Sequence, residues 1–170
     1  MRAWATAADT IFPLSGLKKS TQDPIPYSRE ALKQDLVRVR NAWQDCQANR
    51  DRNAIYGYLS AVFDLVMWWK AEDRAITRAR WALRLQGGAD LPTLDEPFAA
   101  VIFCTADREK VDKRTRSKWS RVLRYAAEYK TNAEPLATFV LRKGGINKCA
   151  ERFTRCLGRG AELGRTVLRR

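Results

Sequence analysis

The chemistry open to this chain is limited first by a missing residue type. Its 170 residues include no histidine. That excludes Ser-His-Asp and Cys-His nucleophile pairs, HExxH metalloprotease sites and Cys/His zinc fingers. It also removes the commonest general acid–base. The cysteines at 46, 104, 149 and 156 have no paired-motif spacing that would clip a metal locally. Cys46, Cys149 and Cys156 fall on or beside apolar helix faces, so reduced, packed thiols are expected. No glycine-rich phosphate loop of either common pattern, GxGxxG or GxxxxGK followed by Ser or Thr, occurs.

Carboxylates remain. Glu72-Asp73, Asp95-Glu96 and the trio Asp107, Glu109 and Asp112 are the side chains a divalent metal would use. The trio adjoins the most basic part of the chain, where a metal-dependent nuclease would place it. Each of its acids also has a neighbouring Lys or Arg, so surface ion pairing accounts for it as well. Glu128-Tyr129-Lys130 has the cadence of an acid-x-Lys nuclease fragment, but it ends a predicted helix and lies on no sheet. The expectation is a non-enzymatic protein with no catalytic residue, no metal and no cofactor.

The cations carry the strongest signal. The formal net charge is +13. Residues 1–107 hold 14 Lys and Arg against 13 Asp and Glu, whereas residues 108–170 hold 18 against 6. Such asymmetry between halves points to a polyanionic partner. Two helical stripes order these charges. Arg114, Lys118 and Arg121 recur along a helix from Asp112 to Lys130, opposite Trp119, Val122, Leu123 and Ala126. Tyr125 is read among the basic residues. Lys148, Arg152, Arg155 and Arg159 recur along a last helix, opposite Ile146, Cys149, Ala150, Phe153 and Leu157. Lys and Arg in this arrangement neutralise phosphates, and Arg can also bridge guanine edges. Trp68, Trp81 and Tyr125 are candidates for stacking on bases, while helical phase assigns Trp43, Trp69 and Trp119 to a core.

These stripes need elements to hold them. Pro13, Gly16, Pro24 and Pro26 mark residues 1–27 as an irregular arm, pinned by Trp4, Ile11 and Phe12, with Lys18-Lys19 within reach of a phosphate backbone. Ser28 caps a helix to about Asn49 whose inner face is Leu32, Leu36, Val39, Trp43 and Cys46. Asp51 or Asn53 caps a second helix towards Gln86, ended by Gly87-Gly88. Unbroken, that helix would be about 50 Å long at ~1.5 Å per residue, so it either kinks near Lys70 or projects as a partner surface. Its wide apolar arc around AVFDLVMWW suits a core or a dimer interface. Thr93 with Glu96 reads as a capping box before PFAAVIFCTA, which is assigned to helix because no second strand candidate could pair with it. Glu134-Pro135 opens a short helix with Leu136, Phe139 and Val140 inside. Gly144-Gly145 breaks the chain before the last helix, and Gly158 and Gly160 stop it.

Within this frame, FVLRKGGINKCAERF is similar in cadence to the Gly-Gly/Asn turn, followed by small and apolar residues, of nucleoid-type helix-turn-helix segments. The likeness covers about fifteen residues. It departs after Phe153, where TRCLGRG offers no second turn and recognition helix, so the helix at 146–157 would itself be the reader. SKWSRVLRYA with GGINKCAERF resembles uncharacterised small bacterial proteins from mobile-element neighbourhoods, which implies a bacterial cytoplasmic setting.

The expected protein is all-α. Residues 28–106 form a helical body, 107–160 a basic three-helix module resembling a helix-turn-helix, and 161–170 a basic tail or a short final helix. The expected partner is nucleic acid, duplex DNA first, contacted by Arg114, Lys118, Arg121, Lys148, Arg152, Arg155 and Arg159. The expected role is a regulator or accessory factor of a bacterial mobile or phage-like element, with a homodimer through residues 28–86. No membrane partner is expected, since no apolar run reaches ~18 residues. The alternatives are an adaptor or inhibitor whose basic face meets an acidic protein, an RNA-binding protein, and the nuclease built on the acids at 107–112.

Overall fold

The structure is a computed structural model that describes residues 27–49, 51, 53–86 and 96–167, with the backbone alone for 158–167. The arm at 1–27 therefore lies outside the described residues except for Tyr27, as does Thr93. All regular secondary structure among the described residues is helical: α1 (Arg29–Ala48), α2 (Ala54–Ala71), α3 (Ala75–Leu85), α4 (Pro97–Thr105), α5 (Lys113–Tyr129), α6 (Leu136–Arg142) and α7 (Gly145–Val167). Among them no helix is long and apolar enough to cross a membrane.

Side-chain oxygens start three of the helices. Ser28 accepts from the Ala31 amide at 3.1 Å, and Asp112 from the Thr115 amide at 2.5 Å. Glu96 accepts from the Phe98 and Ala99 amides at 3.1 and 2.6 Å, with Pro97 in the first turn. Each bond satisfies an amide that the helix itself leaves without an acceptor. Glu96 is thus the N-cap of α4, one turn earlier in role than a capping box from Thr93 assigns to it. PFAAVIFCTA is helical, and seven of the nine residues of α4 are buried.

The second predicted helix is two helices. The chain breaks at Glu72–Arg74, where Asp73 takes φ +55°. The Asp73 amide donates to the Lys70 carbonyl at 3.0 Å and the Arg74 amide to the Trp69 carbonyl at 2.9 Å. A left-handed residue with this bonding ends a helix, and Asp tolerates it better than most side chains. The sequence has no Gly or Pro there to announce it. The break folds α3 back onto the body, so the length expected of one long helix never projects.

One core runs through all seven helices. The apolar arc of α2 is spent inside it: Tyr58, Leu59, Val62, Phe63, Val66 and Trp69 are buried. Trp43 of α1, Tyr58 of α2 and Trp119 of α5 form a ring cluster with centroids 5.1 to 6.0 Å apart. Phe63 stacks on Phe98 of α4 at 6.0 Å. The core is thus continuous across residue 107, and α5 is anchored to α1 and α2 by Trp119. The buried Tyr58 hydroxyl lies 2.9 Å from Thr105 Oγ1, whose own proton goes to the Val101 carbonyl at 2.8 Å, so Tyr58 is the donor. A second polar cluster closes the α1–α2–α3 corner. The Arg78 guanidinium lies 3.7 Å from the Tyr27 ring centroid and 4.9 Å from that of Trp68, and pairs with Glu72.

The last helix also differs from expectation. Gly158 and Gly160 do not stop it, and α7 runs on without a break to Val167, through the segment read as a tail or a separate short helix. Glycine weakens a helix interior by only ~1 kcal/mol, which a docked helix can carry.

Candidate nucleic-acid interface

The basic stripes lie on α5 and α7, which pack along one another. The turn between α6 and α7 sets their relationship. Gly144 and Gly145 have φ of +92° and +87°, a backbone that side chains rarely adopt. A Cβ on Gly144 would also come within 3.3 Å of Lys148 Cγ. The reversal therefore needs glycine, and it delivers α7 onto α5. Cys149, Ala150 and Phe153 then enter the core, and Lys148, Arg152 and Arg155 stay exposed on the other side of α7. The side chain of Arg159 lies outside the described residues.

On α5, Arg114 is exposed, and Lys118 and Arg121 are half-buried. All three line a groove of about 320 Å³ between α5 and α7, completed by Asn147, Ala150, Glu151 and Thr154. Arg121 is a brace as well as a charge. Its Nη1 donates to Thr154 Oγ1 at 3.1 Å, and Thr154 in turn donates to the Ala150 carbonyl at 3.0 Å. Of the expected cations, Arg114, Lys118 and Arg121 therefore share one groove, and Lys148, Arg152 and Arg155 share the solvent side of the helix forming its far wall.

One acid sits between the two stripes. Glu151 pairs with Arg155 one turn on and with Lys148 one turn back, the latter at 3.5 Å. Those two cations hold its carboxyl below the usual carboxylate range, Arg155 most strongly. The pairs are exposed and screened by solvent, so they leave the cations available to a stronger anion. Arg152 forms no ion pair among the described residues.

Tyr125 does not belong to the basic face. It is 7% exposed and packs on Tyr129 and Phe139 with centroids 4.7 and 5.8 Å away. Helical phase places it among the basic residues of the stripe, but Phe139 of α6 packs against it there. Trp68 and Trp81 are partly exposed on α2 and α3, and neither lines the α5–α7 groove. Trp68 packs edge-on against Tyr27 at 5.7 Å. Asn147 and Thr154, which face the groove from α7, were not singled out in the sequence. Their helical phase beside the basic stripe was the available signal.

Two acids of the trio are occupied locally. Asp107 accepts from the Glu109 amide at 3.0 Å and pairs loosely with Lys110, while Asp112 caps α5. Thr115 holds the Asp112 carboxyl below its ordinary range. Among the described residues no three His, Cys, Asp or Glu side chains converge as metal ligands. The thiols of Cys104 and Cys149 are buried and Cys46 is half-buried. Burial pushes Cys104 up to about 12 and raises Cys46 and Cys149 in the same direction, so these thiols stay protonated and inert. Cys156, expected on or beside the apolar face, is exposed instead. Compared with known proteins, the chain matches no family, no curated protein and no solved structure.

Proposed function

We propose that the α5–α7 face binds nucleic acid, duplex DNA first. The observation that carries this reading is the convergence of two basic stripes from separate parts of the sequence. Arg114, Lys118 and Arg121 line the groove that α7 closes, and Lys148, Arg152 and Arg155 cover the outer side of α7. Phosphate neutralisation with counterion release needs such a surface and requires no fixed sequence. The α6–turn–α7 unit supports a helix-turn-helix-like use of this face: α7 is the reader, α6 abuts it through the Gly144-Gly145 turn, and α5 braces it through Arg121. Asn147 and Thr154 are the polar groups in the groove with base-reading chemistry, alongside the arginines. The role proposed for this binding is that of a regulator or accessory factor of a bacterial mobile or phage-like element.

The double substitution Arg152→Glu with Arg155→Glu tests the reading. Electrophoretic shift of duplex DNA, single strands and RNA at two salt concentrations is the assay. Loss of duplex binding with unchanged circular dichroism is the expected result. Wild-type protein that shifts none of the three at low salt would overturn the reading and leave an acidic protein as the partner. Preference for RNA would move the proposal to that polymer.

A further inference from the structure

A second cavity, of about 610 Å³, lies on the other side of α5, between α4 and α7. Its volume falls within the ~300–1,000 Å³ of small-molecule sites. One wall is cationic, with Lys113, Arg116, Arg121 and Arg124 all contributed by α5. The opposing surface is apolar: Ala99 and Phe103 from α4, Phe153 and Leu157 from α7. Rings and cations are held together at the edges. The Arg124 guanidinium is 4.6 Å from the Phe153 centroid and that of Arg116 is 5.9 Å from the Phe103 centroid.

The only carboxylate among the described lining residues is already committed. Glu96 Oε1 accepts from the Phe98 amide at 3.1 Å, and Oε2 from the Ala99 amide and the Ser120 hydroxyl, both at 2.6 Å. It therefore serves α4 and leaves the arginines without a partner acid in the cavity. Arg116 shows the consequence. Its Nη1 is buried and has no hydrogen-bond acceptor among the described residues. A charged donor left this way is costly, and an anion beside it would supply the acceptor.

From these features we infer that the cavity binds a small amphipathic anion, its acidic head against Arg116 and its apolar body against Phe103 and Phe153. A nucleic-acid backbone does not fit this description, because the opposing wall is greasy and the space is the size of one small molecule. The inference does not depend on nucleic-acid binding at the α5–α7 groove, and its assay contains no nucleic acid.

The probe is 1-anilinonaphthalene-8-sulfonate, titrated by fluorescence into the full-length protein. Its uncharged relative N-phenyl-1-naphthylamine serves as the comparison. Saturable binding of one anionic probe per chain is expected, with the neutral compound at least about tenfold weaker. Arg116→Met, which keeps the stem and removes the charged donor, should weaken the anion by about tenfold, the size of one charge-assisted hydrogen bond. Ser117→Trp, at an exposed position on the cavity wall, should exclude the probe by bulk without entering the core. Lys33→Gln, on the exposed side of α1, should change nothing. Equal affinity for the neutral compound, indifference to Ser117→Trp, or no saturable binding would each overturn the site. Should Arg116→Met fail to fold by circular dichroism, the neutral compound and Ser117→Trp decide the matter.

Discussion

Neutralising Glu151 should make the protein bind DNA more tightly. Glu151 is the one acid among the described groove-lining residues between α5 and α7, and it pairs with both Lys148 and Arg155. Glu151→Gln removes a negative charge that would face the phosphates and releases two cations towards them. Its effect is equivalent to about one additional neutralised phosphate, which steepens the salt slope of log K by roughly 0.9. Taking 1 M salt as the point where the advantage vanishes, the gain is about fifteenfold at 50 mM and about fourfold at 200 mM. The cost to folding is small, because exposed pairs along one helix contribute little. Fluorescence anisotropy of a labelled duplex across a salt series reads both affinity and slope. An unchanged slope, or weaker binding by Glu151→Gln, would show that DNA does not approach this face of α7.

Three further outcomes follow from the fold. Glu96→Ala removes the α4 cap and leaves the buried Ser120 hydroxyl without its acceptor, so urea unfolding should show a loss of about 2–3 kcal/mol. Gly144→Ala forces a side chain onto φ +92° and against Lys148, and should cost about 1–2 kcal/mol by the same measurement while weakening DNA binding through misplacement of α7. The pH dependence has a definite sign. Thr115 depresses Asp112, Arg142 depresses Glu134, and Arg155 with Lys148 depresses Glu151. Folded-state values below the unfolded ones mean that their stabilisation is present above the ordinary carboxylate range and is lost as pH falls through the folded values. The melting temperature should therefore be flat from about pH 5 to 7, where no histidine titrates, and fall below about pH 4. High salt should shrink the acid-side drop, since Asp112 and Glu151 are exposed.

The pattern of apolar residues was enough to read the helices and most of their inner faces. Trp43, Trp69 and Trp119 are buried where their phase puts them, and Ser28 and Asp112 cap where their side chains allow. Three features were legible in part or not at all, each for a physical reason. A kink near Lys70 was one of two readings of the second helix, but its exact place rests on Asp73 in a left-handed conformation, which that residue type permits and does not signal. Gly158 and Gly160 permit a helix end without requiring one, and α7 continues through both. Tyr125 is covered by Phe139 of α6, a contact that no periodicity within α5 can reveal.

The groove was half legible. Its α5 and α7 cations stand at helical spacing, so each stripe could be found alone. That the α5 stripe lines a groove walled by α7, while the α7 cations take that helix's solvent side, depends on the Gly144-Gly145 reversal, which delivers α7 onto α5. The cavity at Arg116 was not legible at all, because its apolar wall comes from Phe103 and Phe153, separated in the chain by α5 and α6. Arg116 and Arg124 read in sequence only as members of a basic run.

The account stands or falls on how wild-type affinity for a duplex of about 20 base pairs responds to salt. If α5 and α7 present Arg114, Lys118, Arg121, Lys148, Arg152 and Arg155 to phosphates, and four to six of them make contact, log K plotted against log salt has a slope of roughly −4 to −5. A slope near zero, or no binding at 50 mM salt, contradicts it.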